Sequence, residues 1–202
     1  MYKKALNKFL NQSIPEESKY CAAAISHFVI KASLTDPDEL EKLASAAMEE
    51  SAPDEIEETK IEKMEIEAIT SNIDLIRTMR RETVGRNRST IVKKALEMES
   101  EVVPEIVRRF KTNMIDGFLE LTIHILARSS LNMAEEIIAY YNEMRNPYAQ
   151  SLALLYLGFK AEEDCIPWMI EQFYELQKKY PTEDFCYGAY YGLVEMYDRF
   201  YE

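Results

Sequence analysis

Histidine and cysteine are the residues of this chain best suited to chemistry, and their spacing matches no known site. His27 and His124 are the two histidines, and they fall on different predicted helices. A zinc site takes about four ligands from His, Cys and carboxylate side chains. Cys21 precedes His27 by six residues, which places the two on different faces of one helix, and Cys165 and Cys186 have neither zinc nor disulfide spacing. We therefore predict no metal, no cofactor and no catalytic residue.

Clustered carboxylates are a second source of chemistry. Six glutamates fall between residues 55 and 67: Glu55, Glu57, Glu58, Glu62, Glu65 and Glu67. A di-iron site in a helical bundle needs Glu-x-x-His pairs from two helices, and the sequence contains no such pair. We interpret the run as the solvated acidic face of a helix.

Basic residues are concentrated between positions 77 and 94. Glu82 is the only acidic residue in this segment. Its seven basic residues are Arg77, Arg80, Arg81, Arg86, Arg88, Lys93 and Lys94. Such a patch can bind an acidic peptide or a phosphate. It can equally neutralise the acidic helix that precedes it, and the sequence leaves both interpretations open. Among these residues, the candidates for partner binding are Arg80, Arg81, Arg86 and Arg88.

Aromatic residues are concentrated near the end of the chain, where residues 140–201 hold 16 of the 22. Adjacent aromatics on a helix point about 100° apart, so both members of a pair rarely share one buried face. Tyr and Trp are also favoured at binding surfaces. The candidates for partner binding are therefore Tyr141, Trp168, Tyr174 and Tyr191, and the alternative is packing between repeats.

Helix starts can be recognised throughout the first half. Ser13, followed by Pro15 and Glu16, predicts a helix running to about Ser33. Its predicted buried stripe is Tyr20, Ala24, Ile25, Phe28, Val29 and Ala32. Further helices are predicted to begin near Asp36, Ser51 and Ser71 or Asn72, and Gly85 marks a loop.

The second half repeats. Three apolar sets share the spacing i, i+3, i+4, i+7 and follow one another at offsets of 31 and then 32 residues. This spacing predicts one buried face on each of three helices. The sets are Val103, Ile106, Val107 and Phe110; Ala134, Ile137, Ile138 and Tyr141; Ile166, Met169, Ile170 and Phe173. Each helix is followed by a second apolar helix, and pairs recurring at this period must stack to bury their faces.

The stretch SLALLYLGFKAEEDCIPWMIEQF resembles the HEAT-repeat pattern, particularly its short subfamily related to phycobilisome-lyase repeats. In that pattern Leu157-Gly158 ends one helix and Cys165-Ile166-Pro167 opens the next. We interpret Gly158 as a C-terminal residue with positive φ, and Asp164 as an N-cap. The resemblance covers residues 90–202. It implies a single all-α domain, an α-α superhelix of antiparallel helix pairs, with irregular helices over 1–89.

The net charge of −12 disfavours binding to nucleic acid over most of the surface. The start of the chain does not read as a signal peptide, and no run approaches the about 20 apolar residues of a membrane span. These features predict a cytoplasmic protein that does not enter a membrane.

Repeat architecture without a catalytic constellation predicts a non-catalytic scaffold that binds a protein or peptide. Two alternatives stay open. One is a HEAT-like enzyme acting on nucleic acid, similar to the alkylpurine DNA glycosylases. The other is self-association, as a homodimer, through the aromatic C-terminal end.

Overall fold

All regular secondary structure in the described residues is helical, as the sequence predicts. The computed structural model describes residues 1–12, 14–35, 63–81 and 87–202. The α-helices are α1 (Tyr2–Leu10), α2 (Ala22–Thr35), α3 (Lys63–Glu67), α4 (Asn72–Arg81), α5 (Arg88–Glu97), α6 (Glu99–Phe110), α7 (Asp116–Arg128), α8 (Ala134–Tyr140), α9 (Pro147–Lys160), α10 (Ile166–Lys179) and α11 (Tyr187–Tyr201). Short 3-10 helices occupy Glu16–Tyr20, Tyr141–Glu143 and Glu163–Cys165. Within these ranges, no helix is long and apolar enough to cross a membrane.

Several predicted features lie outside the described residues. They are the cap at Ser13, the helix starts near Asp36 and Ser51, the loop at Gly85, and the candidate binding residue Arg86. The predicted helix near Ser71 is confirmed, because α4 begins at Asn72 and the Leu75 amide donates to the Ser71 carbonyl.

Helices from α4 onward are arranged as pairs whose second members contact one another. Helix α5 packs against α7, α7 against α9, and α9 against α11. The first members α6, α8 and α10 each pack against the second helix of their own pair. Eleven of the twelve residues in the three predicted stripes are buried or half-buried. Ile138 is the exception, with 37% of its surface exposed.

A fourth pair, α4 and α5, precedes the three that the sequence predicted. Its buried residues Leu75, Ile76 and Met79 lie 31 positions before Ile106, Val107 and Phe110. The position equivalent to Val103 holds Asn72. Because Asn72 is polar, α4 does not show the complete apolar set by which the other three stripes are recognised. Helix α4 packs against α6 as α5 packs against α7. The boundary predicted at residue 90 therefore falls inside a helix pair.

Glycines allow α9 and α11 to approach each other closely. The prediction that Gly158 ends a helix is wrong. Helix α9 continues to Lys160, so Gly158 lies inside the helix and not at its end. A Cβ added there would overlap the backbone of Gly192, and one added at Gly192 would overlap the Leu154 carbonyl. Gly188 meets the backbone of Ser151 in the same way. Absence of a side chain, and not a positive φ, is what the fold requires of these glycines.

Cations from one pair close the helix ends of the pair before it. The Lys160 ammonium donates to the Ser129 carbonyl at 2.9 Å, at the C-terminus of α7. Arg199 donates to the carbonyls of Gly158 at 2.6 Å and Ala161 at 3.1 Å, at the C-terminus of α9. Basic side chains satisfy the last carbonyls of a helix and favour its negative end. These bonds fix neighbouring pairs to each other.

The helix start predicted at Cys165-Ile166-Pro167 is confirmed, and a second start with proline in its first turn precedes it at α9. Asn146 caps α9, its side chain accepting from the Tyr148 amide, and Pro147 occupies the first turn. Pro167 lies in the first turn of α10. Asp164 is not the N-cap of α10, because a 3-10 helix over Glu163–Cys165 intervenes and makes Cys165 the cap residue.

The N-terminal helices return to the other end of the chain. Helix α1 packs against α10 and α11, and α2 packs against α7, α9 and α11. The single helix predicted from Ser13 to Ser33 is wrong, because Cys21 has an extended backbone that separates a 3-10 helix from α2. The Cys21 sulfur accepts a hydrogen bond from the Ala24 amide at 3.4 Å, the place of an N-cap oxygen. Helix α2 thus lies across three second helices.

Candidate binding surface on α2

The inner face of α2 is built from small residues. Ala23, Ala24, Ser26 and Ser33 are buried, and Ile30 is the one large aliphatic residue of α2 that is completely buried. Small side chains allow the α2 backbone to approach α7, α9 and α11 closely. Apolar burial therefore contributes modestly to the attachment of α2.

Polar contacts complete the attachment along α11. His27 Nε2 lies 2.9 Å from Glu195 Oε2, and the side chains of both residues are largely buried. Lys31 forms ion pairs with Asp198 and, at 3.4 Å, with Glu195. Burial by itself would raise the pKa of Glu195, but the His27 hydrogen bond and the Lys31 charge outweigh it and lower that pKa. The Tyr191 hydroxyl donates to the Ser18 carbonyl at 3.2 Å.

Arg128 holds the C-terminal end of α2 against α7. Its guanidinium donates to the His124 carbonyl at 2.6 Å and to the Ser33 hydroxyl. Burial lowers the pKa of Arg128 to about 10. The pKa of His124 is lowered well below its ordinary value, by burial first and then by the charges of Arg128 and Arg88. His124 is therefore a neutral, buried residue of the core.

The outer face of α2 is apolar and exposed. Phe28 is 63% exposed, Ile25 57% and Leu34 49%, and Tyr20 in the preceding 3-10 helix is 79% exposed. The predicted buried stripe is therefore wrong for Tyr20, Ile25 and Phe28, whereas Ala24 is buried and Val29 and Ala32 are half-buried. We call the exposed set of Tyr20, Ile25, Phe28 and Leu34 the outer α2 face.

A cleft runs beside this face. It has a volume of about 430 Å³ and is lined by Lys19, Ala24, His27, Phe28, Lys31, Ala32 and Tyr191. A second cleft of about 520 Å³ shares Lys19 and Tyr191 with the first and extends along the 3-10 helix to Gln12. The two clefts add concave walls to a surface whose exposed centre is Phe28.

The ionic groups around the clefts carry a negative balance. Lys19 pairs with Glu16 at 2.8 Å, and Glu17 is a further exposed carboxylate of the same 3-10 helix. The charge of Lys31 is matched by the two carboxylates of α11 that it contacts. A partner with basic groups at its edges would therefore meet complementary charge here.

The four candidate aromatic residues lie in three separate places. Tyr141 is buried, with its ring 5.0 Å from that of the half-buried Trp168 in an edge-to-face arrangement. Tyr174 is 42% exposed and exchanges hydrogen bonds with Gln12. Tyr191 lines both clefts and is the one of the four that belongs to the surface on α2.

The three candidate basic residues that the structure describes lie on α4 and α5, and these helices pack against α6 and α7. Arg80 and Arg81 are exposed in the last turn of α4. Arg88 donates to Glu120 at 2.7 Å, and the Tyr148 hydroxyl donates to the same carboxylate at 2.9 Å. Arg88 therefore joins α5, α7 and α9, and its role in packing is visible in these bonds.

Groups with reactive chemistry are buried. All three cysteines are free thiols inside the protein, and burial raises the pKa of Cys165 and of Cys186 to about 11. Within the described part of the chain, no three His, Cys, Asp or Glu side chains converge where they could hold a metal ion. The most distinctive surface feature is therefore the outer α2 face and its clefts.

Comparison of the chain with protein-family models, with curated proteins and with solved structures found no match. The fold and the surface together define an all-helical protein of paired helices that exposes an apolar helix face.

Proposed function

We propose that the protein is a non-catalytic, HEAT-like helical-repeat scaffold that binds a partner protein through the outer α2 face. Four helix pairs support the repeat architecture, because apolar residues recur in them 31 or 32 positions apart and all of these except Ile138 are buried or half-buried. Stacked pairs of this kind make an extended surface along their second helices. Helix α2 lies on that surface and presents its own outer side to the surroundings.

The observation that carries the proposal is the exposure of large apolar side chains on the outer side of α2, a helix whose inner side packs against the rest of the protein. A helix packed in this way usually directs polar residues towards the solvent. Burying a side chain such as Phe28 or Ile25 contributes about 1.5–3 kcal/mol. A cluster of exposed apolar residues beside concave walls is typical of an interaction site.

The shape and charge of the surface favour an amphipathic helix as the bound segment. An apolar helix face fits a groove through residues spaced i, i+3, i+4 and i+7. The carboxylates Glu16, Glu17 and Asp198 border the surface, and the whole chain has a charge of −12. We expect the partner helix to carry Lys or Arg beside its apolar stripe, so that binding weakens as salt screens these charges.

Photo-cross-linking tests the proposal. Phe28 is replaced by p-benzoylphenylalanine in the full chain, which is expressed in the cells that naturally contain it. The matched control carries the same residue at Met114, an apolar side chain that is 68% exposed in a loop far along the chain. We expect cross-linking at position 28 to a segment of one partner, and none at position 114.

The identity of the cross-linked segment decides the result. An amphipathic helix with basic flanks, whose cross-link is lost on Ile25→Glu and weakened by salt, supports the proposal. Equal labelling at both positions contradicts it. Cross-linking of position 28 to a second copy of this chain assigns the face to self-association and also contradicts it.

A further inference from the structure

Beneath α2 lies a groove that is already occupied by a helix. Its aromatic wall consists of Phe159 and Tyr191, whose ring centroids lie 5.6 Å and 5.7 Å from that of His27. Its acidic end consists of Glu195 and Asp198 on α11. On the α7 side of the groove, Arg128 donates to the Ser33 hydroxyl, two positions beyond Lys31. The groove therefore recognises a helix by an aromatic wall, two carboxylates and one guanidinium.

The fit of α2 in this groove uses little of its apolar surface. Among the large apolar residues of α2, Ile30 is completely buried, whereas Phe28, Ile25 and Leu34 are exposed. The remaining buried positions hold Ala and Ser. Elements with few large buried residues open at lower free energy than the rest of a fold. Release of α2 therefore exposes only one completely buried large apolar side chain of its own, that of Ile30.

We propose that the groove on α7, α9 and α11 is an exchangeable helix-binding site, which accepts a partner helix in place of α2. The contacts of α2 define the chemistry of that partner. It carries basic residues at two positions four apart, which face Glu195 and Asp198 as His27 and Lys31 do. An aliphatic residue lies one position before the second basic residue, as Ile30 does, and small side chains occupy the preceding two turns.

This site is distinct from the outer α2 face, because the two make opposite demands on α2. Binding to the outer face requires α2 in its groove, whereas exchange requires α2 to leave it. Variants at Phe28 test the first surface, and variants at Lys31 and Ile30 test the second. Either proposal can fail while the other holds.

The probe is a fluorescein-labelled synthetic peptide of residues 22–35. It carries Ile25→Gln and Phe28→Gln, two outward positions, to keep it soluble. Its binding is measured by fluorescence anisotropy with three forms of the full chain. These are the unmodified chain; Lys31→Glu, which places a carboxylate against Glu195 and Asp198; and the control Lys111→Glu, which breaks the remote ion pair with Glu143. Hydrogen exchange of the α2 amides reports whether α2 has left the groove.

An added helix can bind only those molecules in which α2 has left the groove. The apparent affinity of the added helix is therefore lowered in proportion to the fraction of molecules in that open state. We expect Lys31→Glu to bind the peptide at least about tenfold more tightly than the unmodified chain, and Lys111→Glu to bind like the unmodified chain. A peptide that itself carries Lys31→Glu should not bind. If Lys31→Glu leaves the α2 amides protected, Ile30→Ser is used to release them.

Two results would overturn the proposal. One is protection of α2 in both variants, which would show that the helix does not exchange. The other is absence of saturable peptide binding to a variant whose α2 amides have lost protection while those of α9 and α11 retain it.

Discussion

At the scale of single residues, glycine decides how closely α9 and α11 approach. Gly158 and Gly192 meet backbone to backbone, and Gly188 meets Ser151. A sequence containing Leu157-Gly158 before an acidic turn is typical of a helix end, and this is why the sequence gives Gly158 the wrong role. Periodicity within one helix carries no information about the distance to another. The contact becomes visible only when both helices are in place.

Gly192→Ala is expected to destabilise the protein. The added methyl group would overlap the Leu154 carbonyl oxygen and lie 2.9 Å from the Met169 methyl, so α9 and α11 must separate. Overpacking of this kind costs about 1–3 kcal/mol, although Ala is otherwise the better helix former. The midpoint of urea unfolding, followed by circular dichroism, should fall accordingly.

Gly117→Ala is the control for that substitution. Gly117 lies in the first turn of α7 and is half-buried. Here the same change should be neutral or slightly stabilising, since Ala reduces the freedom of the unfolded chain. Equal midpoints for the Gly192 and Gly117 variants would contradict the close contact between α9 and α11.

At the scale of elements, α2 shows what periodicity can and cannot predict. The existence of a helix up to about residue 33 follows from the sequence, and α2 extends to Thr35. Its buried face could not be predicted, because large apolar residues occur on both sides and the closely packed side uses Ala and Ser. In α6 the stripe of Val103, Ile106 and Phe110 is opposed by charged residues, so the prediction for α6 is confirmed.

Acid is expected to loosen α2 through Glu195. The pKa of Glu195 is lower in the folded state than in the unfolded state, so the charged carboxylate stabilises the fold. This contribution is complete above the unfolded-state pKa. It is lost as the pH falls through the lower, folded-state pKa. His27 and Lys31 contact it from α2, and Asp198 lies beside it on α11. Hydrogen exchange of α2, corrected for the intrinsic effect of pH, should accelerate below about pH 4.5.

Glu195→Gln separates this effect from general acid unfolding. At pH 7 it should raise the opening of α2 by about tenfold to a hundredfold, because a hydrogen bond to a charged group is worth about 1.5–3 kcal/mol. Glu97→Gln is the control, since Glu97 pairs with Lys94 at an exposed site on α5. A Glu195→Gln variant whose α2 amides exchange at the original rate would show that the carboxylate does not hold the helix.

At the scale of the whole molecule, the apolar repeat predicted three of the four described helix pairs. The fourth has the same offset of 31 residues, but Asn72 replaces the apolar residue at the head of its stripe. The candidate surface could not be predicted, because it is formed by α2 lying on three helices of which the first, α7, begins only at Asp116. Such a contact depends on how the pairs stack, and no local pattern encodes it.

Isoleucines of neighbouring stripes are therefore expected to contribute unequally to stability. Ile106 is completely buried between pairs, and Ile106→Ala is expected to cost about 2–5 kcal/mol. Ile138 belongs to the next stripe but is 37% exposed, and Ile138→Ala should cost well under half as much. Urea unfolding of the two variants compares them directly, and equal losses would contradict the burial pattern.

The exposure of the outer α2 face is the claim on which the proposed function depends, and hydroxyl-radical footprinting of the monomeric protein tests it most directly. Mass spectrometry would quantify oxidation of Phe28 and Tyr20 against that of Phe110 and Phe173, which are buried. We predict rapid oxidation of Phe28 and Tyr20 and strong protection of the two buried rings. Protection of Phe28 equal to that of Phe110 in the monomer would contradict the account, because the face would then be covered within the chain itself.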